Sequence, residues 1–256
     1  MRHHPRKRWG QNFLKDINLV NKLVGIISPE QNDEFLEIGP GEGILTEKLA
    51  NKVTRLTAIE IDKRLYQKLS SRNNMVNCTF INADFLKTDW NDFGFIRDKV
   101  RVAGNIPYNI TSPIIFRLLE YRSYWSDAHL MVQKEVADRL TAKPGGKDYG
   151  RLTVMTQSQV DIVKLITIPP DVFVPKPKVH SCLIRMLPHY RWEMSKERYQ
   201  RFDAVVRTAF GQRRKMLHNS LADFDLTEVT LIDLARRPET LSTEDFITLA
   251  GEVTPM

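Results

Sequence analysis

The sequence predicts an α/β protein: a doubly wound, mostly parallel sheet followed by a smaller helical region. Three observations predict it. Short β-rich runs alternate with segments of helical spacing through the first two thirds of the chain. A glycine-rich turn, Gly39-Pro40-Gly41-Glu42-Gly43, joins one such run to a helical stretch. Beyond Pro188 the β-rich runs stop and only helical patterns remain.

Asp16 is a helix cap for a segment whose apolar positions Ile17, Val20, Val24 and Ile27 recur at helical spacing, and Pro29 ends it. Glu34–Ile38, Arg55–Ile61, Cys78–Ile81 and Val100–Ala103 read as strands. Leu45–Ala50 and Arg64–Ser70 read as the helices between them, and Pro113–Tyr121 and Leu130–Leu140 continue the alternation. Val160–Ile168 and Val179–Leu187 are two β-rich runs joined by a loop containing Pro169, Pro170, Pro175 and Pro177. Two strands with no helix between them suggest an antiparallel pair at one sheet edge. After Pro188, Tyr199–Leu217 is a basic helical stretch. Thr227 and Ser242 are candidate caps for helices carrying Leu231, Leu234 and Ala235, then Phe246, Leu249 and Ala250. The predicted division is therefore an α/β domain over 1–188 and a helical domain over 189–256.

Charge points to a polyanionic partner. The chain of 256 residues has 38 basic and 31 acidic side chains and a formal net charge of +7. The basic residues cluster: Arg2, Arg6, Lys7, Arg8 and Lys15 near the start, then eight against three acids over 191–215. Such clustering reads as a nucleic-acid footprint. Two separated cysteines, Cys78 and Cys182, argue against a disulfide framework or a thiolate metal site, and the scattered histidines support no metal. No apolar stretch reaches membrane-spanning length and no signal peptide is evident, so a reducing cytoplasm is expected.

The candidate site residues fall where strands end. In an open α/β sheet that is where ligands bind. Glycines in Gly39–Gly43 let the backbone approach a nucleotide-like ligand, although G-x-G-x-G is not the dinucleotide fingerprint. Glu60, 21 residues after Gly39, is placed to accept ribose hydroxyls, a role an acid also plays in NAD enzymes. Asp84 follows the third strand and can accept from an adenine amine. The loop's proline and extra acid suit a pyrophosphate poorly and suit S-adenosylmethionine better, with Glu37 adding negative charge near the cofactor's ammonium and sulfonium end.

Asn105-Ile106-Pro107-Tyr108 closes the fourth strand. An Asn carbonyl and a rigid backbone carbonyl can accept both hydrogens of an exocyclic amine. Pro107 fixes the turn, and Tyr108 can stack on a splayed-out base. Accepting both hydrogens frees an adenine nitrogen's delocalised lone pair for attack on a methyl group. No strong base is needed, which matches the absence of His, Lys or carboxylate within the turn.

Taken together, these motifs closely resemble the ribosomal RNA small-subunit adenine dimethyltransferases, nearly end to end. The resemblance is carried by Arg8–Leu14, Glu37–Gly41, Ala58–Asp62, Asn105–Asn109, Phe173–Val179, Ala209-Phe210 and Arg213–Lys215. It implies a Rossmann-like class I methyltransferase with a seven-stranded, mostly parallel sheet and a small all-helical C-terminal domain that binds RNA. It implies S-adenosylmethionine contacts by Asn12, Leu14, Gly39, Glu60, Asp84 and Asn105. It implies a catalytic set of Asn105, Pro107, Tyr108 and Phe173, with Phe173 sandwiching the flipped base opposite Tyr108. The implied substrate is a pair of adjacent adenosines in the 3′-terminal hairpin loop of small-subunit ribosomal RNA, doubly methylated late in 30S assembly; a monomer is expected, although the sequence does not itself reveal the oligomeric state. Asn82-Ala83-Asp84 departs from the family's commoner Gly-Asp pairing but keeps the acid. Arg207, Arg213, Arg214, Lys215, Lys176 and Lys178 are candidate phosphate contacts. Three other readings share features: a large-subunit rRNA adenine methylase with the same Asn-Ile-Pro-Tyr chemistry, a non-catalytic assembly factor, and an NAD dehydrogenase.

Overall fold

A computed structural model of the chain describes residues 11–255. The basic cluster Arg2, Arg6, Lys7 and Arg8 lies outside the described residues. In chain order the strands are β1 (Phe13–Leu14), β2 (Glu34–Ile38), β3 (Arg55–Ile59), β4 (Cys78–Ile81), β5 (Val100–Asn105), β6 (Trp125–Gln133), β7 (Val160–Ile168), β8 (Phe173–Val174), β9 (Ser181–Pro188), β10 (Phe224–Asp225) and β11 (Thr254–Pro255). The helices are α1 (Ile17–Ile27), α2 (Ile44–Ala50), α3 (Lys63–Ser70), α4 (Thr111–Glu120), α5 (Lys134–Leu140), α6 (Arg151–Gln157), α7 (Lys196–Gly211), α8 (Leu217–Ser220) and α9 (Thr243–Glu252).

Seven strands form one sheet in the order β4-β3-β2-β5-β6-β9-β7. The first five are parallel, and β9 runs antiparallel to β6. The chain order reverses between β2 and β5, the switch point where such sheets bind ligands. Asp16 caps α1 by accepting from the Asn18 and Leu19 N–H groups, and Ser28 closes it at φ 50° just before Pro29. Val20, Leu23, Val24 and Ile27 of α1 join Phe35, Leu45, Leu49 and Leu56 in a buried core, whereas Ile17, expected on that face, is exposed. Asp62 caps α3 in the same way.

Two compact units divide the described chain. One runs to Ala137 and takes in Val163–Pro188; the other joins Asp138–Ile162 to the residues from His189 onward. One change-over between the units falls at Pro188, where the sequence changes character, and the second unit also draws in 138–162. The physical reason is α6, a seven-residue helix that the alternation did not reveal. It packs with α7 and α9, and Arg151 at its start pairs with Asp203 at 2.8 Å. Tyr149, just before it, meets the Phe210 ring edge-on at 6.1 Å.

Two further expectations are corrected. Leu130–Leu140 is the end of a nine-residue strand running straight into α5. No helix starts at Thr227 to carry Leu231–Ala235: the Thr227 N–H and hydroxyl both bond to Asp225, and the Asp233 side chain takes the Ala235 N–H. Those local side-chain bonds compete with helical ones. Ser242, by contrast, caps α9 in a reciprocal box with Asp245.

Candidate active site

At the carboxyl ends of β2, β3, β4 and β5 lies a cavity of about 240 Å³. That size is at the small end for ligand sites, roughly 300 Å³ upward, and suits one nucleoside better than a dinucleotide. Asn12, Leu14, Gly39, Glu60, Asp84, Asn105, Pro107 and Tyr108 all line it. Phe173 does not. It is only 1 % exposed, pairs with Leu14 across the β1–β8 ladder, and belongs to the hydrophobic core. Placed so, the Phe173 ring packs beneath the strand that carries Leu14 and lies outside the cavity lining.

The glycine loop is built on backbone that other residues resist. Gly39, Gly41 and Gly43 have φ of 66°, 60° and 83°. At Gly41 a Cβ would also stand 3.0 Å from the Phe13 ring, so that ring lies directly on the loop. Glu60 pins the loop from below. Its Oε2 accepts from the Gly41 N–H at 3.1 Å and its Oε1 from the Asp62 N–H at 2.8 Å. Burial pushes the Glu60 carboxyl up, and those two backbone N–H groups pull against the rise. Each carboxylate oxygen keeps a second lone pair for a ribose hydroxyl. Asn82 donates to the Glu60 main-chain carbonyl at 2.8 Å and ties the ends of β3 and β4 together. Asp84 uses Oδ1 to accept the Leu86 N–H at 3.0 Å.

Glu37 is the most perturbed group in the cleft. It is 1 % exposed, and its Oε2 has no hydrogen-bond partner. Burial pushes its carboxyl up to about 8; nearby Thr46 opposes the shift, without a hydrogen bond of standard geometry, and Glu60 adds to it. Four acidic side chains, Glu37, Glu42, Glu60 and Asp84, line the cavity, with no Lys or Arg among the described lining residues. Such a lining suits a cationic ligand and opposes a pyrophosphate.

The Asn105 amide is oriented by a residue far away in sequence. Its Nδ2 donates to the Asn12 main-chain carbonyl at 2.7 Å, which leaves Oδ1 as the accepting end. The segment bearing Asn12 is strapped across the cleft. β1 pairs with β8, the Lys15 N–H bonds to Val172 O at 3.0 Å, and the Lys15 ammonium pairs with Glu42 of the glycine loop. Tyr108 is half-buried. Its hydroxyl meets Ser181 Oγ at 2.7 Å; burial pushes the phenol pKa up, and that bond opposes the rise. The Asn12–Asn105 and Tyr108–Ser181 contacts have no local sequence signal.

A family model described as ribosomal RNA adenine dimethylase matches residues 2–253. The chain belongs to the ribosomal RNA adenine dimethylase family. The methyl donor of the family is S-adenosylmethionine, and the cationic, nucleoside-sized preference of the cleft fits it. Among curated relatives, a ribosomal RNA small subunit methyltransferase A from Saccharophagus degradans is 40 % identical over 257 residues, covering 99 % of this chain and 96 % of that protein. The protein of the same name from Legionella pneumophila (strain Lens) is 41 % identical over 254 residues, covering 98 % of each. Among solved structures, the 23S rRNA methyltransferase ErmE superposes with a TM-score of 0.69 at 27 % identity, covering 94 % of this chain and 99 % of that one. A dimethyladenosine transferase from Plasmodium falciparum shares the fold with a TM-score of 0.79 at 24 % identity, with the same coverage.

In the second unit Arg207, Arg214 and Lys215 are exposed, as expected of phosphate contacts. Arg213 is committed elsewhere: it pairs with Glu239 at 2.6 Å and donates to the Lys147 and Gly146 carbonyls at 2.7 and 3.0 Å. In the first unit Lys178 is exposed, and Lys176 pairs with Asp171. No described helix is long and apolar enough to cross a membrane.

Proposed function

We propose that this chain transfers methyl groups to the exocyclic amines of two adjacent adenosines in the 3′-terminal hairpin loop of small-subunit ribosomal RNA, two groups to each. On this reading it acts as a monomer in the cytoplasm on the assembling 30S subunit. The observation that carries the reading is the Asn105 amide, held by the Asn12 carbonyl at the end of β5 inside an acid-lined cleft. The names of the relatives favour the small subunit, and the second unit supplies exposed basic residues for particle binding.

Bound S-adenosylmethionine supplies an activated methyl group on a sulfonium leaving group. Glu60 would hold the ribose, Asp84 the adenine of the donor, and Glu37 would offset the ammonium charge. Asn105 Oδ1 accepts one hydrogen of the substrate amine. Pro107's carbonyl is taken by the Ile110 N–H at 3.2 Å and the Thr111 hydroxyl at 3.3 Å. That points to the Ile106 carbonyl, locked by the following proline, as the second acceptor. Tyr108 stacks on the extruded base. These groups act by orientation, which is where a displacement of this kind gains most of its rate.

The test is labelled methyl transfer to small ribosomal subunits lacking the modification, followed by nucleoside analysis and mapping of the modified positions. Dimethyladenosine in small-subunit RNA is expected. Asn105→Ala should lose at least about a hundredfold in rate, the scale of removing one group that acts at the transition state, while particle binding persists. Near-normal turnover of that variant would remove the amine-holding role, and marks in large-subunit RNA would overturn the substrate.

A further inference from the structure

Ser181 is missing from every motif above, yet it is the hydrogen-bond partner of the Tyr108 hydroxyl, at 2.7 Å. Among the described residues that phenol has no other partner. Ser181 is 1 % exposed and opens β9, where it pairs in register with Gln133 at the end of β6. The next step of the ladder, Lys134 N–H to His180 O at 2.9 Å, holds the same corner. Ser181 does not line the cleft. It is therefore a buried fixed point that grips the far end of the ring. Gripped there, the ring is restrained from swinging about its Cα–Cβ bond, although it still turns about its own axis.

We propose that Ser181 is a positioning residue for the second methyl transfer, because that step leans hardest on where the Tyr108 ring lies. The inference rests on Tyr108 being the aromatic that stacks on the substrate base. In each transfer the amine lone pair forms the new N–C bond, and the methyl C–S bond breaks with its electron pair left on sulfur. One amine proton then leaves to water. Before the first transfer the amine offers two N–H groups to its two acceptors. Before the second it offers one, so the edge of the base has lost a hydrogen bond, worth roughly fivefold in occupancy of the reactive pose. The stacking face is the same in both steps. Its share of the hold therefore rises once the first methyl is in place, and a ring free to swing penalises the monomethylated base more than the unmodified one.

The experiment uses the full chain and unmodified small ribosomal subunits. Ser181→Ala, Tyr108→Phe and the double variant are followed in time, with N6-methyladenosine and N6,N6-dimethyladenosine quantified separately. S-adenosylhomocysteine affinity is measured by calorimetry. Monomethyladenosine should accumulate in both single variants, the second step slowing roughly fivefold more than the first, with S-adenosylhomocysteine affinity unchanged in Ser181→Ala. The double variant should match the worse single one, because both remove the same bond. An unchanged ratio of the two products, equal slowing of both steps, or additive losses in the double variant would each overturn the proposal. Tyr108→Ala separates the two levels. If it retains both steps at normal rates, the stacking role itself is wrong; if it is inactive while Ser181→Ala behaves as wild type, only the tether is wrong.

Discussion

Glu37→Gln probes the electrostatics on which the cleft depends. Burial raises the Glu37 carboxyl from its ordinary 4.5 to about 8. The native state then holds a proton that the unfolded chain gives up over that same window. Native stability must therefore fall as pH climbs from about 4.5 to 8, by up to about 1.4 kcal/mol per pH unit. Between about pH 5.5 and 7.5 the loss assignable to Glu37 is at most about 2.7 kcal/mol. Glutamine keeps the shape and does not titrate. In the ligand-free protein the substitution should gain stability relative to wild type as pH rises, by about 5–10 °C in Tm over that interval for a unit of this size. The assay is thermal unfolding of both proteins at the two pH values, followed by circular dichroism. A cationic ligand must reverse the preference. Binding S-adenosylmethionine should favour the ionised carboxylate and release a proton near neutral pH in wild type but not in the variant. Parallel Tm–pH curves for the two proteins would refute the reasoning, since they would mean that Glu37 is already ionised in the folded, ligand-free cleft.

Phe13→Ala should weaken S-adenosylhomocysteine binding roughly tenfold by calorimetry, because the strap bearing Asn12 and Leu14 loses the ring that lies on Gly41. Unchanged affinity would mean that the strap closes without it. Arg101 donates to Asp127 at 2.8 and 2.9 Å, to Asp33 at 2.7 Å, and to the carbonyls of Ile27 and Ser28. Arg101→Ala leaves two largely buried carboxylates uncompensated and should cost about 3–5 kcal/mol in denaturant unfolding. It lies near the start of β5, away from the cleft, so S-adenosylhomocysteine affinity measured well below the transition should hold. Single Ala substitutions of Arg207, Arg214 and Lys215 should weaken binding to small subunits and each lower the slope of log affinity against log salt by about 1, without changing Tm.

What the sequence made legible was the part of the site that lies on strand ends. Gly39, Glu60, Asp84 and Asn105 each follow an apolar run whose end is marked by a turn residue, and parallel strands in register bring those ends together. What it hid were partners separated by 93 residues, Asn12 and Asn105, and by 73, Tyr108 and Ser181. A carbonyl or a lone serine has no periodic signature. β6 was blurred for another reason: Asp127 and His129 interrupt its apolar run, and only the register opposite Arg101 and Arg185 shows how a buried strand accommodates them. The burial of Phe173 was hidden too, because a two-residue strand has no alternation from which to read its inward face; its neighbour Val174 is half exposed while it is buried.

The acid lining also bears on the order of events. RNA is a polyanion, and a cleft lined by acidic side chains, with no described Lys or Arg among its lining residues, offers its phosphates no partner. Only a neutral base, extruded from the backbone, can enter such a cleft at low electrostatic cost. A cation bound beforehand lowers that cost further, since it compensates Glu37, whose buried oxygen has no protein partner. Loss of the sulfonium charge on transfer then removes part of the compensation at the moment the product forms. The same carboxylates that favour the charged donor thus disfavour keeping the spent one, which an enzyme making successive transfers on one particle must exchange between steps.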